Sequence, residues 1–131
     1  MLFRSGLLAD VEFHKNVSRD EKLAFYSSLS ALCVPAQFGE AFGLYLAEAM
    51  AAGVPVVQPD IAAFPEIVEA SGAGLIAKPD AKSLADAIER LLLDRASHRR
   101  FSDAAHRAAK ELYSIEKSAA SIAALFASKK H

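Results

Sequence analysis

Two carboxylates, Glu40 and Glu48, stand eight residues apart in the stretch GEAFGLYLAEAMAAGVPVV, among small side chains and just before a β-type run. A helix over 41–52, turning by about 100° per residue, puts Phe42, Leu46, Ala49, Met50 and Gly53 on one face, which we read as the core face. Carried back to residue 40, the same register sets Glu40 and Glu48 about 80° apart on the opposite side and ~12 Å apart along the axis. Leu44 and Ala51 fall between them in angle. Such a strip suits an elongated polar ligand, because each carboxylate accepts hydrogen bonds from a separate set of hydroxyls. At the helix start the amides of Phe42, Gly43 and Leu44 are unpaired donors in the positive end of the helix dipole, a setting that favours phosphate, and Gly43 allows close approach. Two glutamates on the outer face of an amphipathic helix are also what a solvated surface produces, and spacing by itself does not separate the two readings.

The elements that must hold this stretch are legible on either side. Ser18 with Glu21 forms a capping box for a helix over 19–29, along which Leu23, Tyr26 and Leu29 recur at helical spacing with Phe25 beside them. Short apolar runs read as strands at 11–13 (VEF), 31–35 (ALCVP), 54–57 (VPVV) and 74–77 (GLIA). A short helix with Pro65 at its first position separates the last two. Strands this short and apolar, alternating with helices, predict an α/β fold: a partial Rossmann-like domain whose short parallel sheet is flanked by helices. Roughly the last 50 residues carry no strand and form an all-helical C-terminal segment. Asp80 caps a helix with Leu84, Ile88, Leu91 and Leu92; a second carries Phe101, Ala105, Ala108 and Leu112; Ser114 caps a third with Ile115, Ala119, Ile122 and Phe126. Each has one apolar face and is expected to lie on the sheet or on a partner.

The 131 residues amount to one domain, with 53% apolar and 24% charged side chains. Fifteen basic against sixteen acidic groups give a net charge of -1, which argues against a nucleic-acid partner. Cys33 is the lone cysteine and lies in an apolar run, so it reads as a small buried hydrophobe in a reducing, cytoplasmic setting. No apolar run reaches the ~20 residues of a transmembrane segment. The start, MLFRSGLLADVEF, is interrupted by acids and does not read as a secretory signal. His14, His98, His106 and His131 are scattered without metal-ligand spacing, so no metal is expected.

Taken together, CVPAQFGEAFGLYLAEAMAAGVPVV resembles the C-terminal nucleotide-sugar domain of family 4 (group 1) glycosyltransferases of the two-domain GT-B architecture. Their pattern is a strand ending near Pro, two Glu separated by seven residues, a small-residue helix and another strand. The likeness continues through VEFHKNVSRDEKLAFYSSLSAL upstream and FPEIVEASGAGLIAKPDAKSLADAIERLL downstream, nearly the whole chain. The resemblance implies that Glu40 contacts the transferred sugar and Glu48 the ribose hydroxyls. It also implies that the amides of Phe42, Gly43 and Leu44 hold donor phosphate and sugar, and that Val17 and Ser18 border the nucleotide. The activity implied is retaining hexosyl transfer from a nucleotide-diphosphate sugar, with no cofactor and no obligatory metal. Two departures stand out. Lys15 replaces a usual Gly in FHKNV and is read as solvated. The family's preceding segments, with an Arg and a Lys that neutralise the diphosphate, and its N-terminal acceptor domain lie outside residues 1–131.

The chain is therefore expected to be one domain, 1–131, that binds donor, turns over poorly alone, and pairs with another copy through an uncovered sheet edge and helix faces. The alternative is a non-catalytic interaction or oligomerisation module built on the same half-fold. A phosphoacceptor receiver domain is disfavoured, because Asp60 and Lys78 stand too close in sequence for its acid and lysine.

Overall fold

The computed structural model describes residues 10–39 and 41–128. Among them the order is α1 (Arg19–Ser28), β1 (Leu32–Cys33), α2 (Leu44–Ala51), β2 (Val56–Pro59), α3 (Phe64–Ser71), β3 (Gly74–Ala77), α4 (Ala81–Leu93), α5 (Arg95–Glu111) and α6 (Ile115–Ser128). The three strands form a parallel sheet in the order β1-β2-β3, with Val56 opposite both Leu32 and Gly74. The expected α/β architecture with an all-helical C-terminal segment is what the chain adopts.

Successive β2 side chains point to opposite faces of the sheet, and this alternation divides the core. Val56 joins Leu46, Met50, Phe64, Ile67, Val68 and Ala105 under α2, α3 and α5. Val57 joins Leu84, Ala87 and Leu91 under α4. A third cluster, Tyr26, Ala49 and Val54, fastens α1 to α2. Gly74 sits where β3 crosses closest to β2: a Cβ there would collide with the Val56 backbone carbonyl.

β1 contributes only two residues to the ladder, and a buried side chain extends its pairing. Gln58 is fully buried; its amide nitrogen donates to the Leu32 carbonyl at 3.3 Å and its oxygen accepts from the Val34 amide at 3.4 Å. Gln58→Met keeps the volume but removes the acceptor of the Val34 amide and one donor to the Leu32 carbonyl, so it should cost ~1–3 kcal/mol. Urea unfolding should show a lower midpoint at an unchanged slope.

Caps behave as the sequence indicates. Ser18 and Glu21 exchange the two capping-box bonds, and the Asp80 carboxylate accepts from the Ser83 amide at 2.8 Å. The Ser114 hydroxyl accepts from the Lys117 amide at 3.1 Å. Several expectations are corrected. Residues 11–13 form no strand, and Phe13 is 63% exposed: three residues make a strand only when paired, and β1 has its sole described neighbour in β2. Leu23 is exposed, so the buried stripe of α1 narrows to Tyr26. Pro65 occupies the second rather than the first position of α3, since Phe64 opens that helix. Of the last three helices α4 packs most directly on the sheet, and α5 reaches its core through Ala105 and Phe101. α5 lies on α2, α3 and α4, and α6 joins none of the described core clusters, leaving Ile115 and Phe126 exposed.

Candidate functional site

The helix behind Glu48 starts later than its hydrophobic pattern suggests. Gly43 takes φ 73° and ψ 77°, a left-handed conformation that a Cβ disfavours, and α2 begins at Leu44 rather than at 41. The turn throws Phe42 out of the helical register. Leu46, Ala49 and Met50 form the core face as expected, but Phe42 is 39% exposed and leans edge-on against Tyr113, ring centroids 5.6 Å apart. Glu40 lies outside the described residues, and α2, beginning at Leu44, does not extend the helical register back through 41–43.

What replaces that register is a shorter strip on α2 itself. Leu44 and Glu48 are four residues apart and stack on one side, about 6 Å along the axis, with Ala51 following. Leu44 is 72% exposed and Ala51 is exposed as well. At the head of the strip, among the described residues, no side chain caps α2. Among the described residues the Phe42, Gly43 and Leu44 amides have no acceptor, while the Gly43 carbonyl accepts from the Leu46 amide at 2.9 Å. Three donors at an uncapped helix N-terminus make a setting for an anion.

Glu48 is held from across the α1–α2 junction. Lys22 Nζ lies 2.6 Å from Glu48 Oε1, and the Tyr26 hydroxyl donates to Oε2 at 2.9 Å. Both partners stand on α1 at i and i+4, so one face of a capped helix presents an ammonium and a hydroxyl to one carboxylate. The Lys22 bond is the main cause holding the Glu48 carboxyl below its ordinary range. Burial, then the neighbouring carboxylate, pushes the Tyr26 hydroxyl up to about 12, so it stays a donor. Because the folded pKa of Glu48 is depressed, its contribution to stability is present above the unfolded carboxylate pKa and is lost as pH falls through the folded value. With 40% of that side chain exposed, the effect is small. In Lys22→Met the Glu48 carboxyl should titrate at higher pH, measurable by carboxyl-carbon NMR.

Lys22, Leu23, Tyr26, Ser27 and Glu48 line a groove of about 300 Å³ between the two helices. Ser18 caps α1 one turn before Lys22, and Val17 is 38% exposed beside it. The Ser18 hydroxyl is engaged by the Glu21 amide at 3.3 Å, and its amide donates to the Glu21 carboxylate at 2.7 Å. The fold thus brings Glu48 against Lys22 and Tyr26 of α1, the helix that Ser18 caps, and sets the Gly43–Leu44 amides at the head of the same strip. Phe42 turns instead toward Tyr113. Lys15 is exposed, as the sequence suggests. Cys33 is half buried and burial pushes its thiol up, which fits a packing role. Sequence reasoning counts Tyr26 as core and passes over Lys22; the available signal was their i, i+4 spacing on a helix with an identified cap.

Against known proteins, the model of the family described as glycosyl transferases group 1 matches residues 4–108. An exopolysaccharide phosphotransferase of Streptomyces coelicolor is 46% identical over 83 residues, which cover 62% of this chain and 9% of that protein. An MMP alpha-(1->4)-mannosyltransferase of Mycolicibacterium hassiacum is 32% identical over 123 residues, 92% of this chain and 30% of that protein. Among solved structures, the sucrose-phosphate synthase of Thermosynechococcus elongatus superposes with a TM-score of 0.80 at 29% identity, over 94% of this chain and 32% of that one. The chain thus spans between about a tenth and a third of the proteins it matches. Among the described residues no helix is long and apolar enough to cross a membrane. With the three-stranded parallel sheet, the uncapped helix start at Gly43 and the Glu48 strip in one arrangement, this chain belongs to the group 1 glycosyl transferases and has their GT-B type of fold.

Proposed function

We propose that residues 1–131 supply the donor half of a retaining glycosyl-transfer site that takes a nucleotide-diphosphate sugar. The observation that carries this reading is the Leu44–Glu48 strip: an uncapped helix N-terminus and a carboxylate about 6 Å apart along the axis on one side of α2. Diphosphate is placed at the Phe42, Gly43 and Leu44 amides and ribose hydroxyls at Glu48. Val17 and Ser18 border the nucleotide, and Glu40 contacts the transferred sugar. When the bond from the anomeric carbon to the phosphate oxygen breaks, negative charge grows on the diphosphate, and the amides and dipole of α2 oppose that charge.

The strip is open to water, with Leu44 72% exposed, so nothing described excludes solvent from the reacting carbon. On this reading residues 1–131 alone bind donor but turn it over slowly, and a facing domain supplies the acceptor and the closure. A cytoplasmic location is part of the same proposal. Titration with UDP, GDP and ADP while following thermal unfolding tests it. A saturable rise in Tm for at least one nucleotide supports the donor site, and no change at millimolar nucleotide removes it.

The exposed Ile115, Ile122 and Phe126 of α6 and the two-residue edge strand β1 favour a second reading, a module for association with another copy. A concentration-dependent dimer in light scattering supports that reading, and a monomer throughout the micromolar range removes it.

A further inference from the structure

The near-neutral charge of the whole chain conceals a local segregation of charge on α5. Arg95, Arg99, Arg100 and Arg107 line one open groove together with a single acid, Asp103. Among the described residues none of the four makes an ion pair. Arg100 donates to the Ser97 hydroxyl at 3.2 Å, lies over the ring of Phe101 and interacts electrostatically with the Asp94 carboxylate. Ala104, Ala105 and Ala108 are buried toward α2, and at about 100° per residue the arginines centre on the opposite side of α5. Three of the four stand in the first two turns, where the helix dipole opposes cations. Their accumulation there is explained neither by folding nor by the donor site.

Apolar side chains adjoin them. Leu93, 76% exposed, and Leu92, 45% exposed, end α4 immediately before Asp94 and Arg95, and Leu92 shares a second groove with Arg95 and Arg99. Asp86 and Glu89 flank the leucines on the α4 side, and Asp86 is held by Lys82 at 2.6 Å. The favourable contact therefore runs along α5 to the α4–α5 corner, with those acids at its α4 edge.

We propose that this corner docks on an anionic lipid surface, Leu93 and Leu92 entering the interfacial layer while Arg95, Arg99, Arg100 and Arg107 meet lipid phosphates. Basic groups alone would suit any polyanion, but a pair of exposed leucines at the same corner gains only where apolar surface leaves water. A patch spanning about 18 Å of helix on a chain of net charge -1 also acts at short range, as adsorption to a surface requires. The donor strip, on α2 toward α1, stays open when the corner is docked.

Co-sedimentation of the full chain with vesicles tests the proposal. Binding is expected to phosphatidylcholine vesicles containing one third phosphatidylglycerol at low salt, with little to pure phosphatidylcholine. The triple variant R95Q/R99Q/R100Q should lose about a hundredfold in partitioning, at roughly fivefold per arginine, and should keep the Tm of the parent. Leu93→Asn, an independent variant on an exposed site, should lose about tenfold. The proposal is overturned if the parent ignores anionic vesicles, binds neutral vesicles equally, or is matched by either variant. Tighter retention by RNA or heparin than by vesicles at matched anion concentration overturns it as well.

Discussion

Glu48→Ala is expected to weaken nucleoside diphosphate binding by about 10- to 100-fold while lowering the stability of the free protein by ~1–2 kcal/mol. The two effects come from different partners. In the free protein the carboxylate holds Lys22 at 2.6 Å and Tyr26 at 2.9 Å. The Lys22 pair is exposed enough to contribute little, with side chains 42% and 40% accessible, and Tyr26 loses one charge-assisted acceptor near water. In the bound protein two vicinal ribose hydroxyls would lose that carboxylate together. Glu48→Gln separates the terms: it retains an acceptor for Tyr26, so the free protein should unfold close to the parent, while the loss of charge still weakens nucleotide. Calorimetric titration of the three proteins with the nucleotide that gives the largest Tm shift measures both. Equal affinity in the parent and in Glu48→Ala would move ribose off this residue.

Gly43→Ala and Gly43→Asn should both lose nucleotide, by tenfold or more, but should differ in stability. At φ 73° an alanine carries the left-handed penalty of about 1–2 kcal/mol, whereas asparagine visits that region at lower cost. Either Cβ would meet the Tyr45 ring, 2.9 Å from Cζ, so Tyr45 must turn aside. The displaced ring then crowds the Phe42–Leu44 amides at which a phosphate would sit. Urea unfolding and nucleotide titration on the pair distinguish the causes. If Asn binds as well as Gly, the backbone conformation mattered and the displaced Tyr45 ring did not.

How far the sequence discloses all this depends on whether a signal is local. The capping box at Ser18 and Glu21, the Asp80 cap and the apolar runs of β2 and β3 are set by neighbouring residues, and each appears where its pattern places it. The run at 11–13 carries an equally good local pattern and forms no strand, because pairing is decided by what lies alongside. The start of α2 misleads for a related reason. Helical periodicity continues smoothly through Phe42, and only the left-handed Gly43 shows that the helix cannot. At the candidate site, the place of Glu48 on the outer side of α2 follows from helical spacing and the Lys22–Tyr26 grip does not, since α1 and α2 meet through a tertiary contact 22 to 26 residues apart. The arginine face of α5 was hidden by the balance of the overall charge and emerges only when those residues are set on one helix.

The most direct test of a donor site on α2 is a titration of the isotope-labelled 131-residue chain with a nucleoside diphosphate, followed through its backbone amide NMR signals. The account predicts saturable shifts concentrated on Phe42, Gly43 and Leu44, with a second set at Val17, Ser18 and Lys22 and little change along α5. Shifts confined to the arginine face from Arg95 to Arg107, or no shifts at millimolar nucleotide, would contradict it.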